Sequence, residues 1–198
     1  MRPARRASDH VPAFGQWCAG LLLMLHLPVL ALGQEAVTAS PNKVKAAFLR
    51  NFTHYVSWPA AAFVDERARW RICVLGTDPF GEILDQTLTG RVEQGRAFQT
   101  LRAATLNDMP NCQIVFIAYK DGARRRAALA ELKKSPVLTV SDAPEFLQEG
   151  GIIQLQTADR VEMSINLDQA RSASLVIQTK MLEVSREVVE NGVVKNWR

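Results

Sequence analysis

Trp70-Arg71-Ile72-Cys73-Val74-Leu75-Gly76-Thr77-Asp78-Pro79 is the stretch on which the fold turns. Its first six residues are a short β-rich run stopped by Gly76. Thr77-Asp78-Pro79 then offers a cap and a first-turn proline for a helix through Ile83, Leu84 and Leu88. Strand, tight turn and helix follow one another within twenty residues or so, which is how a βα unit begins. Cys112-Gln113-Ile114-Val115-Phe116-Ile117-Ala118 is apolar enough to be buried on both faces, and a helix from Gly122 to Leu132 follows it. Between the two lies another strand candidate, Ala97 to Leu101, entered from Gly95.

Further along, Val137-Leu138-Thr139-Val140 is a fourth strand, and Ser141-Asp142 caps a short helix through Phe146 and Leu147 that Gly150-Gly151 ends. Ile152 to Gln156 is a fifth run. Ala158-Asp159-Arg160 joins it to Val161-Glu162-Met163-Ser164-Ile165, whose alternation predicts an antiparallel hairpin partner with one wet face. A last helical stretch is expected from Asp168 towards Val189, broken near Ser174.

On the N-terminal side, Ser40-Pro41 supplies an N-cap and a proline at the first helical position. Val44, Ala47, Phe48, Phe52, Tyr55 and Val56 then recur at spacings of three and four, so this helix is amphipathic. It must stop near Trp58-Pro59, because proline disfavours helical geometry in the residue before it. Strands alternating with helices of this length predict an α/β fold. The expected form is a three-layer domain with a central, largely parallel sheet, an antiparallel C-terminal hairpin, and helices on both faces. The core is expected over about residues 41–189, with disorder before Ser40 and from Asn191-Gly192 to Arg198.

Before Ser40 the sequence changes character. Arg2, Arg5 and Arg6 precede an apolar run from Trp17 to Leu32, and Ala31 and Gly33 supply the small residues of a cleavage site. Residues 1–33 therefore have the three parts of a secretory signal peptide, leaving 34–198 as one exported domain. His26 and Pro28 interrupt the run, making it a poor membrane span. A retained signal anchor and a buried helix are the alternatives. Cys18 starts the apolar run instead of following it, which argues against a lipoprotein.

The chain has 198 residues, 47% of them apolar and 22% charged, which is ordinary globular composition. Three arginines and one aspartate leave with the leader, which lowers the net charge of +4 to +2. That is too little to suggest binding to a nucleic-acid backbone. Two cysteines remain after cleavage, Cys73 and Cys112, and an oxidising compartment favours pairing them. Two free, buried thiols are the alternative. A bridge across their 39-residue separation would restrict the unfolded chain by about 4 kcal/mol in the loop-entropy account.

The search for chemistry comes up thin. His54 is the single histidine after the leader, expected on the surface of the first helix with no nucleophile motif near it. One histidine and two widely separated cysteines fit no zinc pattern, so neither a catalytic set, nor a metal, nor a cofactor is expected. Gly76 to Gly81 matches neither the dinucleotide nor the P-loop spacing, and Asp78 would put negative charge where a phosphate should sit. Arg124-Arg125-Arg126 opposes the dipole of its helix, leaving a solvated face or a basic contact to an acidic protein or membrane surface.

Taken together, several segments resemble the YfiR family of small periplasmic proteins. They are Lys43 to Phe52 with Trp58-Pro59; Cys73 to Gly81; Val137 to Asp142; Gly150-Gly151-Ile152-Ile153; and Arg160 to Leu167, in the expected order over residues 43–188. The resemblance implies a periplasmic repressor without enzymatic activity. Its partner would be the periplasmic part of an inner-membrane diguanylate cyclase, held inactive so that cyclic-di-GMP and biofilm formation fall. Related domains look like extracytoplasmic input modules of signalling proteins. The family is commonly dimeric, so a homodimer is implied, with membrane contact only through the cyclase.

By the same resemblance Cys73 and Cys112 match a family disulfide, while a second bridge found in some relatives has no counterpart here. Ala173-Ser174-Leu175 stands where the family usually has Ala-Gly-Leu, and serine for glycine penalises a left-handed turn, so a different local turn is expected. Such a repressor acts by binding one conformation of its target more tightly than the other. Phe80, Trp58, Trp70 and Trp197 are its candidate anchors, although burial in the core competes for most of them. A second reading is a periplasmic small-molecule-binding sensory module, its site at the C-terminal edge of the parallel sheet. Gly76, Thr77, Asp78, Phe80 and Tyr119 are the candidate residues of that ligand or partner surface.

Overall fold

A computed structural model describes residues 40–196 of the chain. The leader with its cleavage after Gly33, Cys18 and Trp197 lie outside the described residues. Helix α1 spans Pro41–Tyr55, with Pro41 at its start and the extended Val56 at its end. Strands β1 (Val56–Ser57), β2 (Trp70–Leu75), helix α2 (Glu82–Leu88), β3 (Val92–Glu93), β4 (Arg96–Ala103), β5 (Ile114–Ile117), α3 (Gly122–Leu132) and β6 (Leu138–Ser141) follow. The chain continues through β7 (Ile153–Thr157), β8 (Val161–Asn166), α4 (Leu167–Ser172), β9 (Val176–Ile177), α5 (Thr179–Glu183), β10 (Glu187–Glu190) and β11 (Val193–Asn196).

Nine strands form one sheet in the order β11-β10-β8-β7-β6-β5-β2-β4-β3, while β1 and β9 make a separate two-stranded ladder. From β4 through β2, β5 and β6 to β7 every pairing is parallel. The expected hairpin is β7–β8, with Leu155 opposite Met163. This hairpin lies inside the sheet, because β10 pairs parallel on the far side of β8.

Period-two alternation divides the buried side chains between two faces. On one face Ile72, Val74, Ile114, Phe116, Leu138, Val140, Ile153, Leu155, Met163 and Ile165 form a continuous cluster with Leu49 and Phe52 of α1, Leu84 of α2 and Met181 of α5. On the other, Cys73, Leu75, Val115 and Ile117 pack under Ala128 and Leu129 of α3. Helices thus cover both faces, giving the three layers expected of an alternating α/β chain. Towards β8 the second face turns polar at Thr139, Ser141, Gln154 and Ser164, all buried. Their needs are met locally: Ser141 donates to the Ile117 carbonyl at 2.7 Å, and Gln154 donates to the carbonyls of Ala143 and Pro144.

The C-terminal quarter differs from the expectation of one broken helix. It holds α4, β9, α5 and the hairpin β10–β11 instead. The break falls at Ser174, which keeps the left-handed conformation at φ +58°, so the turn persists despite the missing glycine. Asn191 (φ +55°) and Gly192 (φ +71°) form the two-residue hairpin loop between β10 and β11, in a segment expected to be a disordered tail. Gln94-Gly95 makes the corresponding loop between β3 and β4. Two other expectations shift. Helix α2 begins only at Glu82, after a turn built around Asp78, and residues around Phe146 form turns instead of a helix. No helix among the described residues is long and apolar enough to cross a membrane.

Candidate functional site

Strand β2 is where the sheet changes direction. From it the chain moves outward to β4, then crosses back to β5 on the other side, so the connections leaving β2 and β5 diverge. In an open parallel sheet such a divergence opens a crevice beyond the carboxyl ends of the two strands. Here the crevice has a volume of about 410 Å³ and is lined by Gly76, Thr77, Ala104, Tyr119, Lys120 and Arg124, among others.

Gly76 stands at φ +101°, and a Cβ there would lie 2.7 Å from Cδ1 of Tyr119. Both its backbone angle and the ring pressed onto it exclude a side chain. The Tyr119 hydroxyl donates to the Ala104 carbonyl at 2.7 Å, tying the β5 end to the β4 end. Over the ring, the Arg124 guanidinium stacks at 4.1 Å from the centroid. A cation over an aromatic face is attracted by the ring quadrupole, so Arg124 is oriented over the crevice.

Arg125, the next residue, points inward. It is buried, donates from Nε and Nη2 to the two oxygens of Glu149, each at 2.7 Å, and from Nη1 to the carbonyls of Tyr119 and Lys120 at 3.1 and 2.8 Å. Hydrogen bonding to Glu149, chiefly, drives the guanidinium pKa above its ordinary value. Since carbonyl and N–H oppose each other across a trans peptide, inward carbonyls turn the N–H groups of Lys120 and Asp121 outward. The Asp121 carboxylate then caps α3, accepting from the Arg124 N–H at 2.8 Å. Of the arginine triplet, Arg125 is a buried structural ion, Arg124 lines the crevice, and Arg126 stays 60% exposed at 3.5 Å from Glu149.

The structure therefore brings Gly76, Thr77 and Tyr119 together, and separates Asp78 and Phe80 from them. Asp78 accepts from the Phe80 N–H at 2.7 Å and from Arg102 Nε at 2.6 Å. Arg102 also reaches Asp85 at 2.7 Å, and this hydrogen bond holds the Asp85 carboxyl below the usual carboxylate range. Asp78 is thus the anchor of the β2–α2 turn. Phe80 is core, not surface: it is 3% exposed, edge-on to Phe116 at 4.8 Å.

Trp70 is likewise buried and donates to the Glu93 carbonyl at 2.9 Å. Trp58, half-buried, lies edge-on to it at 5.0 Å and donates to the Gln113 carbonyl at 3.1 Å. His54 is on the surface of α1, its Nδ1 3.2 Å from a Glu93 oxygen. Cys73 and Cys112 form a disulfide with their Cα atoms 6.1 Å apart, both buried on the α3 face.

Sequence reasoning missed the Arg125–Glu149 pair, whose partners are 24 residues apart. It also missed an apolar groove of about 350 Å³ between α1 and α5, lined by Phe48, Phe52, Tyr55, Met163, Met181 and Val184. No group of His, Cys, Asp and Glu among the described residues is arranged to hold a metal ion.

Against known proteins, a family model described as YfiR/HmsC-like matches residues 42–186, from the first turn of α1 to the residue before β10. No curated protein matches the chain. With most of the described sheet inside the matched range, and the segments that suggested the resemblance in their expected order, the chain belongs to the YfiR/HmsC-like family.

Proposed function

We propose that the protein, exported as residues 34–198, is a periplasmic regulator. It binds the periplasmic part of an inner-membrane diguanylate cyclase and holds that enzyme inactive, lowering cyclic-di-GMP and biofilm formation. The family match over residues 42–186 carries this reading. The Cys73–Cys112 disulfide supports the compartment, since such bonds persist where thiols are not kept reduced. Repression of this kind needs no catalysis by the chain. It needs only a higher affinity for the inactive conformation of the target than for the active one. The chain reaches the membrane through this partner alone.

The decisive experiment is co-purification with the periplasmic domain of an inner-membrane diguanylate cyclase of the native host, in oxidising and in reducing buffer. Binding is expected in oxidising buffer, and its loss on reduction would show that the disulfide maintains the competent surface. In the native host, deleting the gene should raise cyclic-di-GMP. A clean deletion that leaves cyclic-di-GMP and biofilm unchanged while the cyclase is expressed defeats the repressor reading.

The crevice favours a second reading, a sensory module for a small polar ligand. Lys120, Arg124 and the Asp121 carboxylate meet there beside the Tyr119 ring. A thermal-shift screen of metabolites tests it, because a ligand at about 100 times its Kd adds about 2.7 kcal/mol. No stabilising compound, or one whose effect survives Arg124→Ala, removes the crevice as the sensing site.

A further inference from the structure

Between β10 and β11 the chain reverses through only two residues, Asn191 (φ +55°) and Gly192 (φ +71°), both exposed. Successive left-handed residues make the tight turn that matches the twist of a hairpin, and Asn-Gly adopts it at little cost. The same pair is chemically labile. Glycine carries no side chain to shield its backbone nitrogen, so that nitrogen can close on the side-chain carbonyl carbon of the asparagine before it.

The turn is held from outside. Asp168, in the first turn of α4, accepts from the Asn191 N–H at 2.9 Å and from the Gly192 N–H at 2.8 Å. These bonds, chiefly, hold its carboxyl below the usual carboxylate range, so it is charged at neutral pH. Arg171 lies 3.8 Å from it and reaches Glu190, the last residue of β10, at 2.6 Å, while Lys195 of β11 meets Glu190 at 2.8 Å.

We propose that Asn191 is a deamidation site restrained by the Asp168 carboxylate, and that its conversion to isoaspartate releases β11 from the sheet. The Gly192 nitrogen gives its proton to solvent and bonds to Cγ of Asn191, and ammonia leaves. Water then opens the cyclic imide at either carbonyl, giving aspartate or isoaspartate. The attack requires the Gly192 amide to turn and to shed its proton. Hydrogen bonding to Asp168 opposes the first by fixing the peptide, and the adjacent negative charge opposes the second by disfavouring the amide anion. Either product adds a carboxylate where Arg171 and Lys195 already serve Asp168 and Glu190. Isoaspartate also lengthens the main chain of a loop whose length sets the register of its strands. Since β11 pairs with β10 alone, a broken turn leaves it without a partner.

The test ages the purified protein at neutral pH as folded wild type, wild type unfolded in urea, Asp168→Ala, and Asn191→Gly, which keeps the turn and removes the amide. Trypsin cuts after Arg186 and Lys195, and Asn191 is the only amide side chain in the peptide between them, so the mass gain of amide-to-acid conversion identifies the site. Folded wild type should react at least about tenfold more slowly than unfolded, and Asp168→Ala about tenfold faster than folded wild type, the order expected when a charged hydrogen-bond acceptor is lost. Hydrogen exchange of the β11 amides should quicken in aged wild type and stay constant in aged Asn191→Gly. Equal rates in folded and unfolded wild type overturn the restraint, a comparison that holds even if Asp168→Ala misfolds. A reaction in folded Asp168→Ala no faster than in the wild type overturns it too. Isoaspartate without faster exchange overturns the release of β11.

Discussion

The two faces of the sheet are held by different physics. On the α1 face an unbroken apolar cluster runs from β2 to β10, joined by side chains of α1, α2, α4 and α5. On the α3 face the apolar cluster is smaller and stops at β5 and the flanking Val137 and Phe146, and beyond it buried polar residues take over. That second face compensates with a covalent bond, Cys73–Cys112, and a buried ion pair, Arg125–Glu149, whose side chains are each 6% exposed. Where area is short, a cross-link and paired charges substitute for it. The difference predicts that the α3 face answers to reductant and that the α1 face does not.

The largest effect should come from the α1 face. Phe116 is fully buried between β2 and β6 and packs edge-on to Phe80, so Phe116→Ala should cost about 4 kcal/mol in urea unfolding, equally with and without reductant. A cost under about 1 kcal/mol would break the contrast. Next, replacing Cys73 and Cys112 together by alanine should cost about 3 to 4 kcal/mol, and reductant should destabilise the wild type while leaving the double variant unmoved.

Glu149→Ala leaves the Arg125 charge buried without its main partner and should cost about 3 kcal/mol. Adding Arg125→Met to Glu149→Leu should recover most of that stability, since a buried pair is replaceable by apolar side chains of similar size. If the single Glu149→Ala variant melts like the wild type, the ion pair is not what holds the α3 face. The smallest effect is a gain. Ser174 holds a left-handed backbone, so Ser174→Gly should add about 0.5 to 1 kcal/mol in the same unfolding assay, provided relief of strain exceeds the extra entropy of glycine in the unfolded chain.

These contrasts also explain what could be seen in the sequence. Strands β2, β5 and β6 and helix α3 were legible because each is a local pattern bounded by its own punctuation: Gly76, Ala118 to Gly122, and Ser141-Asp142. The region after Leu167 was not. Leu167, Ala170 and Met181 fall on one helical face, so although a break is expected near Ser174, the spacing holds no sign that the short elements β9 and α5 follow it. The β10–β11 hairpin did carry a signal, Asn191-Gly192 between two pairs of valines, but its polar flanks resembled a tail.

The candidate site divides in the same way. Gly76 and Tyr119 were found because both follow strands, and strand ends converge in a parallel sheet. Asp78 and Phe80, close to Gly76 in sequence, left the site because their partners, Arg102 and Phe116, come from distant segments. Long-range pairing is the part of the structure that local pattern does not encode.

The disulfide has a topological consequence. Joining Cys73 to Cys112 closes a covalent ring around α2, β3 and β4, and the exposed Arg91 lies on that ring, in the connection between α2 and β3. A protease cutting once after Arg91 would sever the backbone without releasing a fragment, so the nicked molecule would travel as one piece until the bond was reduced.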